Sequence, residues 1–226
     1  MGDGRFLKKR VKDARWRKAL VLALESDPPP KRAIDVGCKD GEIGKFLIEA
    51  GVETVGVEID GENARLCAGK GLAAVQADVS RGLPFGDGMF DLVFAGEIIE
   101  HIVDTDALLA EFRRVLAVGG RLVVTTPNLV SLENRLRMLA GLYPIFADYT
   151  ARGDNHVRVY TGRALKKQLA EAGFAVESHT GSFVPFPPYY GLKRLNVSLM
   201  GMLSALGTLL PSLAVHAIVA ARKVGP

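Results

Sequence analysis

The stretch Ala33-Ile34-Asp35-Val36-Gly37-Cys38-Lys39-Asp40-Gly41 constrains this chain most. A short apolar run ends in an acid, a glycine turn follows, and a helical pattern begins at once. That is how a buried parallel strand brings a ligand to its carboxyl end. Gly37 lets the backbone approach a ligand closely, and Gly41 permits a tight turn into the next helix. The spacing is not G-x-G-x-x-G, and no G-K-[ST] follows. The loop therefore suits a nucleoside-type ligand without a pyrophosphate.

The pattern around it is a repeat of strand and helix. Strands are expected at Ala33–Val36, Thr54–Ile59, Ala73–Ala77, Phe90–Ala95 and Arg121–Thr126. Helices are expected at Glu42–Ala50, Glu62–Lys70 and Thr105–Ala117, closed by Gly51, Gly71 and Gly119-Gly120. The strands are short and apolar, as they must be when helices cover both faces of a parallel sheet. Repeated βα units imply right-handed crossovers and a doubly wound α/β architecture. Beyond Pro127 the regularity breaks. An insertion is expected over 129–160, with a helical start at Leu132–Leu139. A helix at Gly162–Ala172 and strands at Phe174–His179 and Leu213–Ala221 follow.

At 226 residues, 48% hydrophobic and 24% charged, the chain is a globular domain with a sizeable core. Residues 1–30 form a separate N-terminal segment, with an amphipathic helix over Phe6–Glu25 stopped by Pro28-Pro29-Pro30. Residues 31–226 form the main domain. Lys8, Lys9, Arg10, Lys12, Arg15 and Arg17 give the helix a basic face. Such a face reads first as solvated surface and second as a contact for anionic lipid or nucleic acid. Cys38 and Cys67 are the two cysteines, and neither belongs to a Cys-x-x-Cys pair. No disulfide framework or metal knuckle follows, and a reducing cytoplasm is the expected compartment. There is no secretory signal pattern.

Leu195 to Ala221 carries no Asp, Glu, Lys or Arg. Pro211, several glycines and His216 interrupt it, and its far end is needed as a strand, so it is not expected to span a membrane. The connection 181–211 is expected to be a hydrophobic hairpin that covers the site, pairs subunits in a homodimer, or rests on a membrane surface. The run Pro185 to Tyr190 before it can wall an apolar substrate pocket.

The chain resembles the class I S-adenosylmethionine (SAM)-dependent methyltransferases. Within them it resembles the methyltransferase type 11/23-like group and the ubiquinone-pathway O-methyltransferases. Asp35, Gly37, Cys38 and Gly41 match the family's first motif. Lys39 stands where the family usually has another glycine, and pays a strain penalty if its φ is positive. Leu83-Pro84-Phe85 and Phe90-Asp91-Leu92-Val93 match a second passage, in which Asp91 is structural. The resemblance implies a seven-stranded sheet of order 3-2-1-4-5-7-6, last strand antiparallel, and SAM as cofactor. It implies that Glu58, with Ile59 beside it, holds the ribose diol; Asp60 is the alternative if the strand runs longer. It implies that Asp78 accepts from the adenine amino group while the Val79 amide reads a ring nitrogen.

Gly96-Glu97-Ile98-Ile99-Glu100-His101 follows the fourth strand. On a helix, Glu97, Glu100 and His101 would share one face. His156 comes later, within the insertion. E-x-x-E-H with a downstream His resembles both the ubiquinone-pathway O-methyltransferases and the small-RNA 2′-O-methyltransferases. In the latter, four such residues bind a divalent metal. Glu97, Glu100, His101 and His156 would then chelate Mn²⁺, Fe²⁺, Co²⁺ or Zn²⁺, or Mg²⁺ with retained waters. In the metal-free alternative His101 packs the helix and Glu97 touches the cofactor. Either His101 or His156 can act as general base toward an acceptor hydroxyl. A small or lipid-like acceptor (a quinone, a lipid or a lipid-linked glycan) suits the apolar, aromatic-rich connection. Structured RNA suits it less, for want of a large basic aromatic surface. The competing functions are a non-catalytic SAM-binding or peripheral-membrane module and an RNA 2′-O-methyltransferase.

Overall fold

The computed structural model describes residues 11, 13–147, 156–185 and 197–225. Helix α1 (Ala14–Leu24) opens the described chain, and the Asp13 carboxylate caps it by accepting from the Arg15 amide at 2.7 Å. The start expected from Phe6 lies largely outside the described residues. Then come β1 (Arg32–Val36), α2 (Glu42–Glu49), β2 (Glu53–Glu58), α3 (Gly61–Gly69) and β3 (Ala73–Gln76). A single 3₁₀ turn, Val79–Arg81, leads to β4 (Phe90–Gly96). A second such turn, Ile99–His101, precedes α4 (Thr105–Val115), β5 (Leu116–Pro127) and α5 (Leu132–Leu139). The chain ends with α6 (Gly162–Glu171), β6 (Phe174–Gly181), α7 (Val197–Leu209) and β7 (His216–Lys223).

The seven strands form one sheet of order β3-β2-β1-β4-β5-β7-β6. β1 through β5 pair in parallel, while β7 runs antiparallel to both β5 and β6. This is the expected doubly wound, Rossmann-like α/β sheet. Most described boundaries fall within two residues of expectation, and the starts of β5 and β7 differ by more. Helix α4 ends at Val115 rather than Ala117, and β5 begins at Leu116 rather than Arg121. The ladder explains this: Leu116 already pairs with Phe90, and a register shift absorbs the glycines before Arg121 pairs with Leu92. The last strand starts at His216, because Pro211–Leu213 forms a 3₁₀ turn instead of extending it.

Strand side chains alternate between two apolar layers. Val93, Ala95, Leu122, Val124, Val219 and Ala221 join the core that holds Leu109 and Phe112 of α4 and Leu165 and Leu169 of α6. Leu92, Phe94, Val123, Ile218 and Ala220 join the core that holds Ala19, Leu20 and Ala23 of α1 and Leu47 of α2. Each fully buried Val, Leu, Ile or Phe among them contributes roughly 1.5–3 kcal/mol. Helix α1 is therefore part of the sheet's packing. Lys18 fixes it further: its ammonium donates to the carbonyls of Gly181, Ser182 and Ser204 at 2.6, 2.9 and 2.6 Å. Burial pulls the Lys18 pKa down to about 8. The three carbonyls work the other way and favour the ammonium. No described helix is long and apolar enough to cross a membrane. The aromatic run through Tyr190 lies mostly outside the described residues.

Candidate active site

The strand order reverses between β1 and β4. Their carboxyl ends therefore open a crevice, the place where doubly wound sheets take ligands. Here that crevice is a cleft of about 1180 Å³. Asp35, Gly37, Cys38, Glu58, Ile59, Asp78, Val79, Glu97, Glu100, His101 and His156 all line it. Of the expected site residues only Gly41 does not. It acts one step removed, as the left-handed N-cap of α2 at φ 78°.

The glycine loop is fixed by the sheet beneath it. The amides of Gly37 and Cys38 both donate to the Val57 carbonyl, at 2.9 and 3.1 Å. The Lys39 amide donates to Glu58 Oε2 at 2.8 Å. Three successive amides are thus committed to β2, which leaves no nest for a pyrophosphate and agrees with the motif's spacing. Gly37 has φ 70°, and a Cβ there would lie 3.0 Å from Ile98 Cδ1. Lys39 does adopt a positive φ, 51°, and carries the strain anticipated for a side chain in that region. The Cys38 thiol turns inward to Cys67 Sγ at 3.6 Å, and burial pushes both thiol pKa values up. Cys38 therefore offers shape to the cleft rather than a nucleophile.

Glu58 is buried and bidentate: Oε1 accepts from the Asp60 amide at 3.0 Å while Oε2 holds Lys39. A carboxylate has about four acceptor sites, so lone pairs remain for a ribose diol. Asp60 caps α3, its Oδ1 accepting from the Asn63 amide at 2.8 Å. Asp78 caps the 3₁₀ turn by accepting from the Ser80 amide and hydroxyl at 3.0 and 2.6 Å, and these bonds hold its pKa down. Asp35 is buried beneath the loop, its Oδ2 lacks a hydrogen-bond partner among the described residues, and burial raises its pKa to about 7. A crevice with a glycine floor, two strand-end acids and an unsatisfied buried carboxyl fits an adenosyl ligand such as SAM. Glu58 would hold the ribose, and Asp78 with Val79 the base. Asp91, at the opposite end of β4, accepts from the Lys31 and Arg32 amides at 3.0 and 2.9 Å and serves structure.

Glu97 departs from expectation. It has φ 54° and lies outside any helix, so it does not share a helical face with Glu100 and His101. Its carboxylate accepts from Arg15 Nη1 at 2.8 Å and from Thr125 Oγ1 at 2.7 Å. A full positive charge and a hydroxyl turn it toward α1 and β5. Among the described residues the metal-competent group is Glu100, His101 and His156, whose donor atoms lie within 4.8 Å of one another. Glu100 is almost fully buried, and its oxygens make no hydrogen bond of ordinary geometry among the described residues, though the Thr126 hydroxyl and its own amide lie near enough to favour its charged form. Burial first, and the Glu97 charge second, push its pKa up. The insertion docks here: the Val157 and Arg158 amides both donate to the Glu100 carbonyl, at 2.9 and 3.0 Å. His156 Nδ1 lies 2.9 Å from the Phe146 carbonyl. A carbonyl only accepts, so Nδ1 carries the proton and Nε2 is the acceptor of the neutral ring.

Arg15, Trp16, Phe146 and His216 also line the cleft, where none of them was expected; Arg15 was expected only on the basic face of the helix. Arg15 sits 4.0 Å over the Trp16 ring while it pairs with Glu97. The available signal was a polar His216 in an otherwise uncharged apolar run. Phe146 carried no signal.

Fold and cleft together define a Rossmann-like protein whose carboxyl edge is shaped for an adenosyl cofactor. A methyltransferase-domain family model matches residues 7–179, and the chain belongs to that family. It is a SAM-dependent methyltransferase. It is 33% identical over 185 residues to the demethylmenaquinone methyltransferase of Thermus thermophilus, covering 73% of this chain and 83% of the relative. It is 33% identical over 125 residues to the chloroplastic tocopherol O-methyltransferase of Arabidopsis thaliana, covering 52% of this chain but only 36% of that protein. A solved SAM-dependent methyltransferase from Archaeoglobus fulgidus shares the fold, with a TM-score of 0.63, 20% identity, and coverage of 98% and 95% of the two chains.

Proposed function

We propose that this enzyme methylates an oxygen of a small, lipid-like acceptor of the quinone or phenol type. The observation that carries the reading is His156, whose ring is fixed by Phe146 with Nε2 as its acceptor atom in the same cleft as Glu58 and Asp78. When bound, SAM supplies the methyl group and a sulfonium leaving group. The protein supplies position and proton handling. Glu58 and Asp78 would orient the adenosine. His156 Nε2 would take the proton from the acceptor hydroxyl and leave its oxygen as the nucleophile for the methyl group that the cofactor would supply. His101, its ring centroid 4.8 Å from that of His156, packs beside the base.

The names of the quinone- and tocopherol-type relatives support this acceptor class. So does exposed apolar surface at Met202 and Leu209 of α7, and at Leu139, Leu142 and Tyr143 beside the strap that carries Phe146. Residues 31–226 serve as the catalytic domain, with α1 walling the cleft through Arg15 and Trp16.

A second reading rests on Glu100. Its buried oxygens beside two imidazoles fit a divalent cation with mixed nitrogen and oxygen ligands. Glu100, His101 and His156 would hold it, and it would lower the pKa of an acceptor hydroxyl. Glu97 is outside that set.

The test is transfer of labelled methyl from SAM to cell lipid, small-phenol and RNA extracts. Label in the lipid or phenol fraction that disappears in His156→Ala, with S-adenosylhomocysteine (SAH) binding retained, supports the proposal. Label in RNA alone, or bound cofactor without product in any extract, defeats it. Added Mn²⁺ raising turnover in wild type but not in Glu100→Gln would favour the second reading.

A further inference from the structure

His216 stands at the start of β7, opposite Pro127 of β5, at the same sheet edge as the expected site. Its ring is enclosed, with a neighbour on each of three sides. Ser182 Oγ is 3.1 Å from Nδ1, Glu97 Oε2 is 3.7 Å from Nε2 and so beyond hydrogen-bond distance, and the Phe146 ring centroid is 5.9 Å away.

These contacts decide the tautomer. Ser182 is fully buried, and its oxygen already accepts from the His216 amide at 3.2 Å. A buried hydroxyl proton without an acceptor is costly, and Nδ1 is the acceptor within reach among the described residues. A hydroxyl that donates to Nδ1 leaves the ring proton on Nε2. The Glu97 carboxylate on that side favours the same arrangement. Burial lowers the His216 pKa and keeps the ring neutral, against the opposing pull of Glu97. His216 is thus a donor at Nε2, whereas neutral His156 is an acceptor at Nε2.

Phe146 joins the two rings: its carbonyl fixes one, and its phenyl ring packs on the other. It does so at φ 62°, a conformation that costs a bulky residue roughly 1–2 kcal/mol. Asn134 of α5 holds the strap in place. Its amide donates to the Ile145 carbonyl at 3.2 Å and its carbonyl accepts from the Ile145 amide at 2.8 Å. Strain maintained by a buried clamp beside a cleft marks a position set for use.

We propose that His216 is an acceptor-binding residue, whose Nε2–H donates to a second oxygen of the molecule that His156 deprotonates. The preferred acceptor then carries two oxygens, one that loses a proton and is methylated, and one that keeps its lone pair for His216. Such acceptors are dioxygenated rings: dihydroxy- or hydroxy-carbonyl compounds. This deepens the oxygen-transfer reading and rests on it.

The test uses the full chain labelled with ¹⁵N-histidine. Two-bond ¹H–¹⁵N correlations separate the two neutral tautomers, with the four histidines assigned by substitution. The expected result is Nε2–H for His216 and Nδ1–H for His156. In the SAH-saturated protein, catechol should move the nitrogen shifts of both rings, and toluene at equal concentration should not. His216→Phe should weaken catechol binding about tenfold, the loss of one hydrogen bond, and His216→Gln should recover part of it. A His216 that reads Nδ1–H, or one whose signals ignore catechol, overturns the proposal. Absence of SAH binding in calorimetry would instead strike the methyltransferase reading and leave the tautomers as measured.

Discussion

Glu58→Gln is the most informative single change, because one carboxylate braces the glycine loop and is also the acid proposed to hold the ribose. In the native chain its two oxygens accept from the Lys39 and Asp60 amides at 2.8 and 3.0 Å. Glutamine keeps the shape but has only one oxygen. Its NH₂ must face one of the two amides, donor against donor, in a buried site. Loss of one charge-assisted bond, with a buried amide left unpaired, costs about 1.5–3 kcal/mol. For a domain of this size each kcal/mol lowers Tm by about 2–4 °C, so the fall should be about 3–12 °C. The loop loosened is the one that carries Gly37 and Lys39, and the acceptor sites left for a ribose diol fall too. SAH affinity should therefore drop by about 10–100-fold, one or two hydrogen bonds' worth. Thermal unfolding and titration calorimetry on the same samples read both effects. A variant that melts with wild type and binds SAH equally well would show that Glu58 neither braces the loop nor holds the ribose.

Three further outcomes follow from the same geometry. The folded chain keeps the Asp35 proton to about pH 7, whereas an ordinary Asp loses it near 3.8, so the folded state binds more protons in that window. This stability is complete at the acid end and is lost as pH rises through about 7. Half-buried His179 and buried His216, with lowered pKa values, pull the other way. The comparison is therefore wild type against Asp35→Asn: in urea midpoints at pH 5 and 7.5 the variant should gain relative stability at the higher pH, and parallel profiles would contradict it. Lys18→Met leaves three carbonyls without their donor and should cost about 2–3 kcal/mol in urea unfolding, with faster proteolysis near residue 197. Unchanged unfolding would show that the clamp is not needed. Gly41→Ala places a Cβ 3.0 Å from both Cys67 Sγ and Leu72 Cδ2 at φ 78°, and should lose about 2–3 kcal/mol and weaken SAH binding. Wild-type melting would refute the assigned packing.

Local patterns carried much of the fold. Alternating apolar runs and glycine stops marked the helices before Gly51 and Gly71, and α5 falls on the expected Leu132–Leu139. The boundary between α4 and β5 was not legible, because Leu116 is drawn into strand by its partner Phe90 across the sheet, which no local window contains. Glu97 was misplaced for a related reason. The spacing E-x-x-E-H fits a helix, but the chain turns through a positive φ at Glu97 and forms only a 3₁₀ turn from Ile99 to His101. The pull of Arg15, 82 positions earlier in the chain, is a long-range force.

By itself, then, the sequence determined a wound α/β sheet with an acid at the end of β2, an acid after β3 and a glycine bend after β1. Those features depend on hydrophobic period and on backbone freedom, and both are written residue by residue. Tertiary structure alone decided which imidazole donates and which accepts. A ring's tautomer depends on the partner across from it. Ser182 and Phe146 reach His216 and His156 only once β6, β7 and the insertion have closed around the same cleft.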